Sequence, residues 1–193
     1  MSKESPESFY PKNTQEWREW LTVNHKKKKS IWLILYKKNS DEPTISWSEA
    51  VDEALCFGWI DSTRRAIDDE KYMQYFCPRK EKSIWSKINK EKVKKLKEAG
   101  LMTKSGLKII ETAKQNGSWT ILDGVEALII PDDLEKEFHK NSGSKEFFLS
   151  LSKSDRKRLL YWLVSCKKKE TREKRIGEII KHAANNQKPP AFR

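Results

Sequence analysis

Glycine is scarce, with seven in 193 residues. Neither a Gly-x-Gly-x-x-Gly turn nor a Walker-type phosphate loop occurs, so the two commonest backbone cradles for nucleotide phosphates are absent. Cysteine is scarcer still. Cys56, Cys77 and Cys166 are odd in number, widely spaced and without a Cys-x-x-Cys pair, which argues against a zinc ribbon or a thioredoxin-type couple. Each has apolar neighbours, so three buried, reduced thiols and no metal are expected. The three histidines, His25, His139 and His182, each stand beside a lysine and read as surface. None belongs to a Ser-His-Asp or Cys-His pattern, so no catalytic residue is assigned and no cofactor is expected. The longest apolar run, from Ile31 to Tyr36, is too short to span a bilayer, and the polar stretch from Met1 to Pro11 lacks a signal-peptide core. A cytoplasmic protein is the expectation.

Positive charge is plentiful. Lysine and arginine number 40 against 28 acidic residues, a formal net charge of +12. Such a balance attracts polyanions without identifying one. Arg79 to Glu98 holds nine basic residues and three glutamates, and Arg156 to Arg175 holds nine and two. The first contains Trp85, the second Tyr161 and Trp162, and basic residues mixed with aromatics can suit single-stranded nucleic acid. Val93 and Leu96, however, mark the first stretch as an amphipathic helix with a solvated lysine face. Weak, sequence-indifferent nucleic-acid binding is therefore expected.

The hydrophobic pattern divides the chain. Residues 1–12 read as a disordered lead-in, 13–130 as an α+β core, 131–184 as a helical C-terminal lobe and 185–193 as a tail. Asn13 to Glu16 has capping-box form and opens a helix that buries Trp17, Trp20 and Leu21. Ile31 to Tyr36, apolar on both faces, predicts a central strand covered on both sides. Ser46 to Glu49 opens a second helix, which Gly58 stops. Trp59 to Ala66 and Tyr72 to Cys77 predict a hairpin in which Trp59, Asp61, Thr63 and Arg65 share one face. From Lys87 onward the period is helical, with Asn89, Thr103, Pro131, Ser152 and Thr171 as helix starts. The fold class is α+β: a small antiparallel sheet with flanking helices, followed by a helical C-terminal half.

Three segments carry a family resemblance. They are Glu53-Ala54-Leu55-Cys56-Phe57-Gly58-Trp59-Ile60-Asp61-Ser62; Tyr72 with Phe76, Pro78, Arg79 and Lys80, followed by Ser83, Trp85, Ser86 and Asn89; and Lys169 to Ile176. Together they resemble the YdeI/OmpD-associated, bacteriocin-protection family, with similarity running from about Trp17 to about Ala184. The resemblance implies a role in envelope stress or protection against bacteriocins. It supplies no catalytic residue and no cofactor.

Trp59, Asp61, Arg65, Arg79, Trp85, Ser86 and Asn89 form the distinctive cluster. Arginine offers a planar fork for a carboxylate or phosphate, and tryptophan a flat face for a ring or cation, so the set suits a small anionic or aromatic ligand. A purely structural reading stands beside it. Asp61 could pair with Arg65 or Arg79, the tryptophans could be core, and Ser86 with Asn89 could cap the next helix. The leading expectation is a non-enzymatic binding or stress-protection protein with its ligand at this patch. The alternatives are a nucleic-acid binder using basic helices and a small enzyme with an Asp61-centred acid/base site.

Overall fold

The computed structural model describes residues 7–192. The chain forms two compact units, Met1–Trp119 and Thr120–Arg193.

In the first unit the polar signals and the hydrophobic periods agree on the helices. Asn13 accepts from the Glu16 N–H and starts α1, Thr14–Asn24. Ser46 and Glu49 form a reciprocal capping box at the head of α2, Trp47–Cys56. Ser86 caps α3, Lys87–Glu98, by accepting from the Asn89 N–H. Asn89 therefore lies inside the helix it was expected to start, because the serine hydroxyl three residues earlier already satisfies its N–H. Thr103 caps α4, Lys104–Gln115.

The sheet has four strands in the order β1-β2-β4-β3. Its three long strands, β2 (Ile31–Tyr36), β3 (Trp59–Ala66) and β4 (Lys71–Pro78), pair antiparallel as expected. The fourth, β1 (Ser8–Phe9), pairs parallel with β2, which makes the sheet mixed. Residues 8 and 9 thus belong to the fold rather than to a disordered lead-in. A two-residue strand shows no period-two signal, so the sequence pattern cannot reveal it. Residues 1–6 of that lead-in lie outside the described residues.

Two further expectations for the sheet change. Asp61 opposes Phe76, whereas Arg64 opposes Gln74, so a bulge inserts one residue between them. Past a bulge the alternation reverses. Arg65 accordingly opposes Met73 and leaves the face of Trp59 and Asp61, its guanidinium lying 4.7 Å over the Trp32 ring. Strand β2 is interior to the sheet, but helices cover only one side of it. Ile31, Leu33 and Leu35 are buried against the helices, while Ile34 and Tyr36 on the opposite face stay partly open.

The first core gathers Trp17, Leu21, Leu33, Leu35, Leu55, Trp59, Phe76 and Trp85. The Trp17 indole meets Phe76 edge-on and donates to the Ala50 carbonyl, which ties α1 to both the sheet and α2. Helix α4 approaches the end of α2 very closely. A Cβ on Gly106 would lie 2.3 Å from the Cys56 carbonyl oxygen, which also accepts from the Thr103 N–H and hydroxyl. Gly58, at φ +76°, takes the chain out of α2 into β3, directly beneath Ser105 and Ile109 of α4. Among the seven glycines these two fix where α4 begins.

The second unit is helical among the described residues: α5 (Asp123–Glu126), α6 (Asp132–Lys140), α7 (Ser144–Ser150), α8 (Lys153–Val164) and α9 (Lys169–Ala183). It has its own core, built on Leu134, Phe138, Phe148, Leu159, Leu163 and Ile179. Arg172 of α9 reaches both Asp133 oxygens, at 2.5 and 2.9 Å, and clamps α6. The final residues are not a loose tail. Pro190–Phe192 forms a 3-10 turn, and Phe192 meets Trp162 edge-on at 5.2 Å. No helix among the described residues is long and apolar enough to cross a membrane.

Candidate functional site

The seven residues singled out in the sequence divide into groups. Ser86 and Asn89 are the cap of α3. Arg65 stands on the open face of the sheet. Asp61 accepts from the Trp47 indole at 2.9 Å and from the Gln74 amide at 3.2 Å, in place of a direct pair with an arginine. Trp59, Arg79 and Trp85 remain together at the end of the β3–β4 hairpin, where the Arg79 N–H bonds the Gly58 carbonyl. Trp59 and Trp85 are core tryptophans, 1% and 2% exposed.

Arg79 is the anomaly. It is 5% exposed, and its guanidinium lies 3.7 Å over the Trp85 ring. One terminal nitrogen donates to the Ile84 carbonyl at 2.7 Å, while Nε and Nη1, both shielded from solvent, have no hydrogen-bond partner among the described residues. Burial lowers its pKa to about 10, and the nearby Asp61 charge opposes that shift. The side chain therefore remains a cation at neutral pH. A buried cation with two unpaired N–H groups is costly, and such groups call for an explanation.

Arg79 lines a cleft of about 480 Å³ between the end of the hairpin and the start of α4. Trp59, Phe57 and Ile109 supply apolar wall, and the Trp59 indole donates to the His25 carbonyl. Lys26, Lys104 and Lys108 add positive charge, against the single carboxylate of Glu81. His25 is half-buried here rather than on the surface. Its Nδ1 faces the Leu21 carbonyl at 2.8 Å, and its Nε2 lies 3.0 Å from the Ser105 hydroxyl. A carbonyl only accepts, so Nδ1 carries a proton, and in the neutral ring Nε2 accepts from Ser105. Nothing in the sequence announces this contact, because its partners stand 80 residues apart.

The thiols are free. Cys56 is buried, and burial lifts its pKa to about 11, which leaves it unreactive at neutral pH. Cys77 and Cys166 are only half-buried, short of the expected full burial, because Cys77 sits on the open face of the sheet and Cys166 just past the end of α8.

This is a two-unit α+β protein whose first unit carries a cationic cleft beneath a tryptophan-backed arginine. Residues 9–109, more than half of the chain, match the family model described as a domain of unknown function (DUF8412), and the chain belongs to that family. Residues 127–186 match the bacteriocin-protection, YdeI or OmpD-associated model, so the second unit contains a domain of that family. The YdeI/OmpD-associated match is confined to the C-terminal part, whereas the resemblance was expected from Trp17 onward. The central segments that suggested it, Glu53 to Ser62 and Tyr72 to Asn89, fall instead within the domain of unknown function. No curated protein and no solved structure matches the chain.

Proposed function

We propose that this chain is a non-enzymatic binding protein of the cytoplasm, acting in stress or bacteriocin protection, and that it holds an anionic ligand in the cleft at Arg79. The C-terminal family domain supports the protective role. The observation that carries the ligand reading is the buried, protonated guanidinium with Nε and Nη1 unpaired. An anion that reached Nε and Nη1, which are shielded from solvent, would meet charge-assisted donors already held flat against Trp85. The Asp61-centred enzyme is the weaker reading. The Asp61 carboxylate is tethered at Oδ2 by two donors, from Trp47 and Gln74, which occupies that oxygen and fixes the side chain in place.

The test is thermal unfolding with sodium benzoate, sodium phosphate, phenyl phosphate or choline chloride at constant ionic strength. A ligand at a hundredfold excess over its Kd stabilises by about 2.7 kcal/mol. At least one anion should raise the midpoint, the choline cation should not, and Arg79→Met should abolish the rise. If every anion leaves the midpoint unchanged, the cleft is not a ligand site.

A further inference from the structure

Resting on that reading, we infer that the ligand is a phosphate monoester whose phosphoryl group seats on the first turn of α4, between Arg79 and the Lys104, Ser105 and Lys108 side chains. Donor geometry comes first. The Thr103 hydroxyl accepts the Gly106 N–H and the Thr103 carbonyl accepts that of Leu107. Among the described residues, the N–H groups of Lys104 and Ser105 are left without an acceptor. Helix α4 is 12 residues long, so its N-terminus carries the partial positive charge and the free donors that suit an oxyanion. A helix start alone is common. This one opens on a cleft that a nine-tenths-buried arginine with two unpaired donors also lines.

The charge balance narrows the class. Arg79, Lys26, Lys104 and Lys108 face one carboxylate, Glu81. A carboxylate ligand would offset one positive charge and occupy two acceptor sites. A phosphate monoester brings close to two charges and three oxygens. Those oxygens can meet guanidinium, first-turn amides and lysines from three directions. The Ser105 hydroxyl has one proton, directed at His25 Nε2 while that ring is neutral, and can donate it to the same group only by turning away from His25. The apolar wall of Phe57, Trp59 and Ile109 leaves room for an organic substituent. The position of α4 is itself fixed, because only glycine at 106 fits against the Cys56 carbonyl.

A monoester could come from a small organic phosphate or from the 5′ end of a nucleic acid. A neighbouring groove between α3 and α4 shares Lys104 and Lys108 with the cleft and adds Lys90, Lys94, Lys97 and Lys114. It could guide a following phosphodiester chain.

Isothermal titration of the full chain decides the matter, with phenyl phosphate, benzoate, and oligothymidylate carrying either a 5′-phosphate or a 5′-hydroxyl. Phenyl phosphate should bind tighter than benzoate. Lys104→Glu and Lys108→Glu should each weaken it roughly tenfold, the loss of one charge-assisted contact. Lys94→Glu, in the groove but outside the cleft, should change it less than about threefold by the same scale. Glutamate in the first turn favours the helix, so loss of binding by Lys104→Glu with an unchanged thermal midpoint cannot be ascribed to fraying of α4. Preference for the 5′-phosphorylated oligonucleotide over phenyl phosphate assigns the monoester to a nucleic-acid end, and the reverse order to a small molecule. Equal binding of the two oligonucleotides, each at least as tight as phenyl phosphate, would overturn the monoester assignment, and so would equal losses of phenyl phosphate binding in Lys94→Glu and Lys104→Glu. Benzoate binding at least as tightly as phenyl phosphate would refute this inference and leave the anion cleft standing. No binding by any anion would remove both.

Discussion

The two units hold their tryptophan-stacked arginines differently, although Arg156 of the second also keeps one buried, unpaired Nε. In the second, Arg172 is matched by both oxygens of Asp133, and Arg175, packed 4.9 Å from the Trp162 ring, donates to the Trp162 carbonyl and the Ser165 hydroxyl. In the first, Arg79 has the same tryptophan backing but one hydrogen bond, no carboxylate in ion-pair contact among the described residues, only the nearby charge of Asp61, and two orphaned donors. A stacked arginine whose donors are filled serves packing. One whose donors are buried and unpaired beside a cleft is the feature on which the proposed ligand reading rests. On the proposed reading the ligand belongs to the first unit, although the second carries the family with a functional description.

Breaking the ring support should have the largest effect. Trp85→Ala removes a buried indole and the surface on which Arg79 lies, and should cost about 3–5 kcal/mol. Trp162→Ala, at a half-buried ring, should cost less. Urea unfolding followed by tryptophan fluorescence reads the first variant selectively, because seven of the eight tryptophans lie before Thr120.

Two of the helix glycines sharpen the contrast next. Gly106→Ala forces a methyl against the Cys56 carbonyl, which must displace the start of α4. It should destabilise by about 1–3 kcal/mol and abolish anion binding. Gly177→Ala, within α9 and with nothing within 4 Å of its added methyl, should be stabilising by up to about 1 kcal/mol. Similar costs for both would mean that the α2–α4 contact is not tight.

Acid should act on the second unit through Asp133. Its pKa is lowered chiefly by the hydrogen bond from Arg172. A depressed carboxylate stabilises the fold above its unfolded value, near 3.9, and loses that contribution as pH falls through the lower folded value. Asp133 is 46% exposed, so screening limits the pair to about 1 kcal/mol or less. Hydrogen exchange over residues 120–192 should show faster opening in Asp133→Asn at pH 6, with the gap to the unaltered protein closing toward pH 3.

Much of the fold was legible because its signals are local. The Ser46 capping box, the Thr103 and Ser152 caps and the β3–β4 hairpin are written within a few neighbouring residues. The misses are non-local or too short to show a period. Strand β1 has two residues, and the bulge after Asp61 changes the register without a glycine or proline to mark it. Of the candidate patch, Trp59, Arg79 and Trp85 come together, but Arg65 is carried to the other face and Asp61 is held by other partners. His25, Lys104 and Ser105 were invisible as site residues, because only the close approach allowed by Gly106 brings α4 to the cleft.

The most direct test is the stability of Arg79→Met in the absence of ligand. A methionine of similar volume keeps the packing on Trp85, removes the buried charge and leaves no donor unpaired. If Arg79 is retained for a ligand, urea unfolding should find the variant as stable as the unaltered protein, or more so, and insensitive to phosphate, since replacing a buried charge by an apolar isostere is often neutral or stabilising. A loss of more than about 2 kcal/mol, the scale expected for breaking a structural buried contact, would show instead that Arg79 holds the fold together and would contradict the account.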